Sequence, residues 1–382
     1  MSLWSCMRRP NRGRKNENQK DDQAVILCTQ MGVPCSVIQR EHGIEVLPVP
    51  EVRKENEDGV RAVQKGDDVS KENESKQILR LAADISRDYY KKPLIITYSG
   101  GKDSDVMLRL ALECLGPTDF EVHNSHTTVD APPTVYHIRH TFEHIQRYGI
   151  KTVIQNLPPH QTSMWDLIVK KRMPPTRVFR YCCKELKEGD GAGRMVATGV
   201  RKAESASRKA RSAFEAFGKT KKESLRFTTD HIQEVYEEAK LEAKECGKSV
   251  EEESPFDCTF VAKAKRNKKT ICNPIIDWTD SEIWDFIKEK NIIVCDLYKN
   301  GYNRVGCVGC PLSGRKNREK GFGDFPAYKS AYMSAFDRMI QKRVKDGFKT
   351  DWKSGKECFD WWMEDMTIPG QLSFDIEGVI HE

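Results

Sequence analysis

Apolar side chains first fall into register at Ile78, Leu79, Leu81, Ala82 and Ile85, the spacing of a helix that buries one face. Leu94, Ile95, Ile96 and Tyr98 then make a short, nearly continuous apolar run, the pattern of a buried parallel strand. That run passes straight into Ser99-Gly100-Gly101-Lys102-Asp103-Ser104, after which Val106, Met107, Leu108, Leu110, Ala111 and Leu112 predict a second helix. The alternation continues with strands near Phe120–Asn124, Thr152–Gln155 and Met195–Thr198 and a helix near Val135–Tyr148. Strands alternating with helices predict an α/β fold built on a doubly wound, mostly parallel sheet.

The flanks read differently. Residues 1–75 are polar and mixed in charge, with runs at 52–59 and 64–77, the latter suiting a solvated linker, although the apolar pieces AVILC and IEVLPVP leave room for a small strand pair. Residues 209–268 interrupt the alternation with a charged helical stretch near Asp230–Lys248 and the basic run KAKRNKK at 263–269. We read this as an insertion forming a solvated helical hairpin, the alternative being a surface that grips a polyanion. Asp280–Glu289 predicts a helix, and the tail from Phe325 to Met366 reads as largely helical with a Trp-rich end. The chain therefore divides into an extension at 1–75, a core region at 76–315 with its insertion, and a helical region at 316–382.

Composition narrows the setting. At 38% hydrophobic and 31% charged residues with mean hydropathy −0.65, no stretch approaches the ~20 apolar residues that cross a bilayer. The basic start, MSLWSCMRRPNRGRKNENQK, lacks an apolar segment and cleavage site, so a cytoplasmic chain without membrane contact is expected. A net charge of only +6 confines any nucleic-acid contact to a local patch. Thirteen cysteines, an odd and high number, point in a reducing compartment to metal or catalytic thiols and not to a disulfide framework.

Three segments carry candidate chemistry. In Ser99-Gly100-Gly101-Lys102-Asp103-Ser104, paired glycines permit a tight turn, the N–H groups opening the next helix face an anion, and Lys102 adds positive charge. The spacing is not that of the Walker A loop, because one residue separates Gly100 from Lys102 and an aspartate follows the lysine. At 197–208, ATGVRKAESASR concentrates Arg201, Lys202 and Arg208 where doubly wound sheets bind ligands. Finally, the pair Cys182-Cys183 and the pair Cys307 and Cys310 in GCVGCP total four thiols, suited to a [4Fe–4S] cluster or tetrahedral zinc. Adjacent cysteines ligate one zinc poorly, which ranks iron–sulfur first; Cys272 and Cys295 stand in reserve.

Taken in order, SGGKDS, RYCCKELK, TGVRKAESASR, NPIIDWTDSEIWDFI at 273–287 and LYKNGYNRVGCVGCP at 297–311 resemble the phosphoadenosine phosphosulfate reductase family. That family lies within the adenine nucleotide alpha-hydrolase-like, or N-type ATP pyrophosphatase (PP-loop), superfamily. The resemblance spans about residues 76–315 and implies a nucleotide-binding domain. Ser99, Gly100, Gly101, Lys102, Asp103 and Ser104 would hold the phosphates of ATP or a related adenine nucleotide, and Gly199, Arg201, Glu204 and Arg208 would complete the anion site. Lys102 is the implied charge clamp and Asp103 the Mg²⁺ partner, while Cys182, Cys183, Cys307 and Cys310 resemble the cluster ligands of adenylyl sulfate reductases. Reductases of this family carry a degenerate glycine loop and a terminal Glu-Cys-Gly-Leu/Ile-His segment. Here the loop is complete and Lys356-Glu357-Cys358-Phe359-Asp360 lacks the glycine and histidine. The expectation is an adenylating sulfurtransferase that releases pyrophosphate. Its partners would be a nucleic-acid or small-molecule sulfur acceptor and a sulfur-donor protein. A sulfonucleotide reductase using Cys358 is the alternative, and a nucleotide-binding subunit with a structural cluster the second.

Overall fold

A computed structural model describes residues 70–157, 161–189, 191–216, 225–247, 269–364, 373–374 and 380–381. The AVILC, IEVLPVP and nearly all of the KAKRNKK segments lie outside these. Helix α1 (Lys71–Tyr90) opens on a Ser70 cap and buries Ile78, Leu79, Leu81, Ala82 and Ile85, five residues before the expected domain edge. Complete burial of each large aliphatic side chain contributes about 1.5–3 kcal/mol, which holds the helix on the sheet.

The alternating region then runs β1 (Leu94–Thr97), α2 (Lys102–Cys114), β2 (Phe120–Ser125), α3 (Pro132–Gln146), β3 (Lys151–Gln155), α4 (Met164–Lys171), α5 (Tyr181–Leu186) and β4 (Met195–Ala197). Next come β5 (Phe214–Ala216), β6 (Leu225–Phe227), α6 (Thr229–Cys246), β7 (Thr270–Cys272) and α7 (Asp280–Glu289). The seven strands lie in the order β3-β2-β1-β4-β7-β5-β6, with β3, β2, β1, β4 and β7 parallel. From β1 the chain winds outward through β2 to β3, then returns to place β4 on the other side of β1. That reversal is a topological switch point, and the loops leaving β1, β4 and β7 all open at the same carboxyl edge.

The described residues within 209–268 depart from a solvated hairpin. Phe214–Ala216 pairs antiparallel with both β7 and β6, extending the sheet, and α6 buries Ile232, Tyr236, Ala239 and Ala243. Strands of three residues are too short to leave a period in the sequence.

Helices α8 (Arg315–Asp324), α9 (Pro326–Lys345) and α10 (Gly355–Met363) follow. They form a second core of Phe322, Tyr328, Tyr332, Phe336, Phe359 and Trp362, which also takes in Leu167, Leu186 and Val308. The helical tail thus packs against both segments that carry paired cysteines.

Candidate functional site

Between Thr97 and Lys102 the chain must turn from strand to helix. Gly100 adopts φ +71°, and a methyl group there would meet Ile138 Cγ1 at 2.8 Å, so the turn requires glycine. Gly199, leaving β4, comes so near the Asp103 backbone that a Cβ would stand 3.3 Å from its carbonyl. Ser104 ties the loop together. Its hydroxyl accepts the N–H groups of Gly101 at 3.1 Å and Ser99 at 3.3 Å, donates to the Gly101 carbonyl at 2.7 Å, and lies 3.4 Å from the Ser99 hydroxyl. The Lys102 N–H, in the first turn of α2, donates to the Tyr298 hydroxyl at 2.9 Å. Beneath the loop, the Tyr98 hydroxyl donates to Asp105 Oδ1 at 2.5 Å, and His137 Nε2 lies 2.9 Å from the same oxygen.

Charge gathers where the β1, β4 and β7 loops meet. Arg201 is 1% exposed; its Nε donates to Asp103 at 2.6 Å, its Nη2 to Asp280 at 2.7 Å and its Nη1 to the Trp278 carbonyl at 3.2 Å. Lys102 Nζ, also buried, lies 3.0 Å from Asp280 and 3.3 Å from Asp103. Hydrogen bonds from Lys102 and Arg201 hold the Asp280 carboxyl below the usual carboxylate range. Glu204 accepts the Arg201 N–H at 3.2 Å and pairs with Arg208, while Arg304 Nη2 stands 3.9 Å away. Burial, and then the neighbouring Arg304 and Arg211, push Arg208 below its ordinary value. Two anchored cations thus stand beside the opening turn of α2, their charge balanced by the carboxylates of Asp103 and Asp280.

Asp280, Tyr298 and Arg304 were not singled out by sequence reasoning. They lie within two of the noted stretches, yet Asp280 stands 178 residues from Lys102 and no spacing links them.

Cys182 and Cys307, one from each cysteine pair, pack against the tail core. The Cys182 thiol hydrogen-bonds Cys183, and its pKa is pushed up by that bond, by burial and by Cys183, Cys307 and Cys310 in turn. The bond from Cys182 lowers Cys183, aided against burial by Lys187 and Arg180. Burial pushes Cys307 up to about 11 despite Lys187, and its thiol lies 3.5 Å from the Thr127 hydroxyl and 3.7 Å from Asp130 Oδ1. Four soft sulfur donors from two segments suit an iron–sulfur cluster in kind. Among the described residues, however, no three His, Cys, Asp or Glu side chains stand in a metal-holding arrangement.

The CxxC turn is set by the tail. Gly309 adopts φ +73° beneath Phe322, Trp362 and Tyr332, and the Tyr332 hydroxyl donates to the Val308 carbonyl at 3.2 Å. The reserve candidates sit elsewhere: Cys272 is buried in β7, and Cys295 lies against Thr134 with Asp105 and Asp296 as its charged neighbours. Cys358 is fully buried in α10, where burial pushes its thiol up to about 12. Such a thiol is a poor nucleophile at neutral pH.

The phosphoadenosine phosphosulfate reductase domain matches residues 93–313. An uncharacterized protein of Methanocaldococcus jannaschii is 25% identical over 240 residues, which cover 62% of this chain and 40% of that protein. An adenosine 5'-phosphosulfate reductase of Oceanobacillus iheyensis is 37% identical over 51 residues, 13% of this chain and 21% of the reductase. The chain thus spans less than half the length of these relatives. Among solved structures, a phosphoadenylyl-sulfate reductase of Candida auris in a phosphate complex is 13% identical, covers 61% of this chain and 87% of its own, and has a TM-score of 0.35.

Proposed function

The chain belongs to the phosphoadenosine phosphosulfate reductase domain family, and on that premise we propose that it binds ATP at the Ser99–Ser104 loop and adenylates a sulfur acceptor with release of pyrophosphate. One observation carries the reading. Lys102 and Arg201, from the ends of two parallel strands, meet Asp103 and Asp280 at the switch point, beside a complete glycine loop. Buried cations held by exchangeable carboxylates suit a polyphosphate, whose oxygens can take over the same hydrogen bonds.

In the proposed reaction a substrate oxygen attacks the α-phosphorus in line. A new P–O bond forms, the bond to the bridging oxygen breaks, and pyrophosphate departs against Lys102 and Arg201. Ser99, Gly100, Gly101 and Ser104 hold the loop that positions the phosphates, and Gly199, Glu204 and Arg208 hold Arg201 and the edge of the site. The carboxylates of Asp103 and Asp280 are hard oxygen donors that fit Mg²⁺, which when bound would neutralise charge on the phosphates. Sulfide from a sulfur-donor protein then displaces AMP from the activated acceptor. Cys182, Cys183, Cys307 and Cys310 would hold a [4Fe–4S] cluster, which supplies electron and sulfide chemistry when present; the adenylation step does not depend on it.

The test is anaerobic incubation with ATP, Mg²⁺ and candidate acceptors. Pyrophosphate release supports the reading, and orthophosphate alone, or no product, overturns it. The reductase reading draws on the adenosine 5'-phosphosulfate reductase relatives; sulfite formed from adenylyl sulfate with thioredoxin would favour it. Tight ATP binding without product would instead favour a nucleotide-binding subunit.

A further inference from the structure

We infer that the loop of Arg177, Val178, Phe179 and Arg180, together with the surface around the paired cysteines, docks a single-stranded nucleic acid. The loop is a formed turn. The Phe179 N–H donates to the Thr176 hydroxyl at 2.9 Å, and the Thr176 N–H returns to the Phe179 carbonyl at 3.3 Å. Thr176 is buried, yet Val178 is 83% and Phe179 62% exposed. Arg177 Nε donates to the Pro311 carbonyl at 3.2 Å, joining this turn to the residue after the CxxC pair, where Leu312 is 49% exposed. An apolar rim therefore stands beside the four thiols, where burial would be expected for such side chains.

Its charge is one-sided. Residues 167–184 hold Lys170, Lys171, Arg172, Arg177, Arg180 and Lys184 and no acid. Residues 297–318 hold Lys299, Arg304, Arg315, Lys316 and Arg318 and no acid, although the flanking Asp296 and Glu319 pair with Lys299 and Arg315. Lys171 pairs with Glu185, Arg172 with Asp346, and Arg318 is buried. Among the described residues no carboxylate pairs with Arg177, Arg180 or Lys184, and Arg304 continues the basic surface to the Glu204–Arg208 edge of the anion site. Guanidinium groups bind phosphates, and both their planes and an exposed phenyl ring stack on bases. Those base faces are open only in a single strand, because a duplex keeps them stacked.

Naming that strand as the sulfur acceptor rests on the adenylation reading; the docking does not, so its test omits ATP. Fluorescence anisotropy of the full chain with short labelled DNA and RNA single strands, across a salt series, is the measurement. Binding of at least one strand is expected, weakened roughly tenfold by Phe179→Ala and retained by Phe179→Trp. The double variant Arg177→Gln with Arg180→Gln should lower the slope of log affinity against log salt by about 1.4, whereas Arg177→Lys with Arg180→Lys should keep it. All these residues are exposed, and an unchanged melting temperature confirms that each variant is folded. No binding to either strand, or affinity unmoved by Phe179→Ala and the Gln pair, overturns the inference. So does displacement by polyglutamate as effective as by unlabelled oligonucleotide of equal charge, which would indicate an acidic protein partner.

Discussion

Three glycines of one segment separate two causes of rigidity around the CxxC pair. Gly309 has φ +73°, and an added Cβ would meet Phe322 Cζ at 2.6 Å, Trp362 Cη2 at 3.1 Å and Tyr332 Cε2 at 3.1 Å. Gly301 has φ +76° with nothing within 4 Å, and Gly306 has open space without a left-handed φ. Alanine at Gly306 should therefore be neutral or slightly stabilising, within about 1 kcal/mol, through the unfolded chain. Alanine at Gly301 adds only the left-handed backbone penalty, about 1 kcal/mol. Alanine at Gly309 adds that penalty and must also displace rings already packed against each other, for a further ~1–3 kcal/mol. The expected order is Gly306, Gly301, Gly309, with the last losing about 2–4 kcal/mol. Urea unfolding followed by tryptophan fluorescence is apt, because Trp362 is one of the rings displaced. If Gly309→Ala and Gly301→Ala differ by less than about 0.5 kcal/mol, the tail rings do not fix the CxxC turn and the reasoning fails.

Lys102→Ala and Arg201→Ala should each lower pyrophosphate release by about a hundredfold or more, with Arg201→Lys recovering only part, since one ammonium cannot reach both Asp103 and Asp280. For Glu121, burial pushes the carboxyl up, but hydrogen bonds from Lys151 and Arg194 outweigh it and leave the pKa lowered. Its stabilising contribution is then complete above the unfolded value of about 4.3 and lost as pH falls through the lower folded value. Glu121→Gln should flatten that part of an acid-unfolding curve, and an unchanged curve would refute the assignment. Alkylation of the intact chain followed by mass spectrometry should label exposed Cys246 early and buried Cys358 only after unfolding. Early labelling of Cys358 would revive it as a nucleophile. An anaerobic preparation should hold about four irons per chain, lost on Cys183→Ala or Cys310→Ala; zinc in their place would remove the proposed cluster.

Much of this was legible along the chain, wherever a signal is local. The apolar run Leu94–Tyr98 and the helical spacing after Ser104 announced β1 and α2, because buried strands and amphipathic helices leave periods of their own. Helix α7 was expected at its observed limits, and its start is sealed by Thr279 and Glu282, which cap one another across three residues. The glycine loop and the two cysteine pairs could likewise be read from spacing. Strands β5 and β6 could not, since three residues show no period; β5 pairs with β7, more than fifty residues along the chain, and β6 pairs only with β5. Nor could Asp280 or the basic rim at Arg177–Arg180 be placed. Lys102, Arg201 and Asp280 share a site only because β1, β4 and β7 are parallel neighbours whose loops open at one edge. Gly309 needs to be glycine because its φ is +73° and because Phe322 and Trp362, from distant helices of the tail, lie over it. The sequence by itself determined which elements form and which chemistry is available, since both rest on neighbouring residues. The tertiary structure alone decided which charges face each other and which rings close over the CxxC turn, since those contacts arise only when distant segments close on one core.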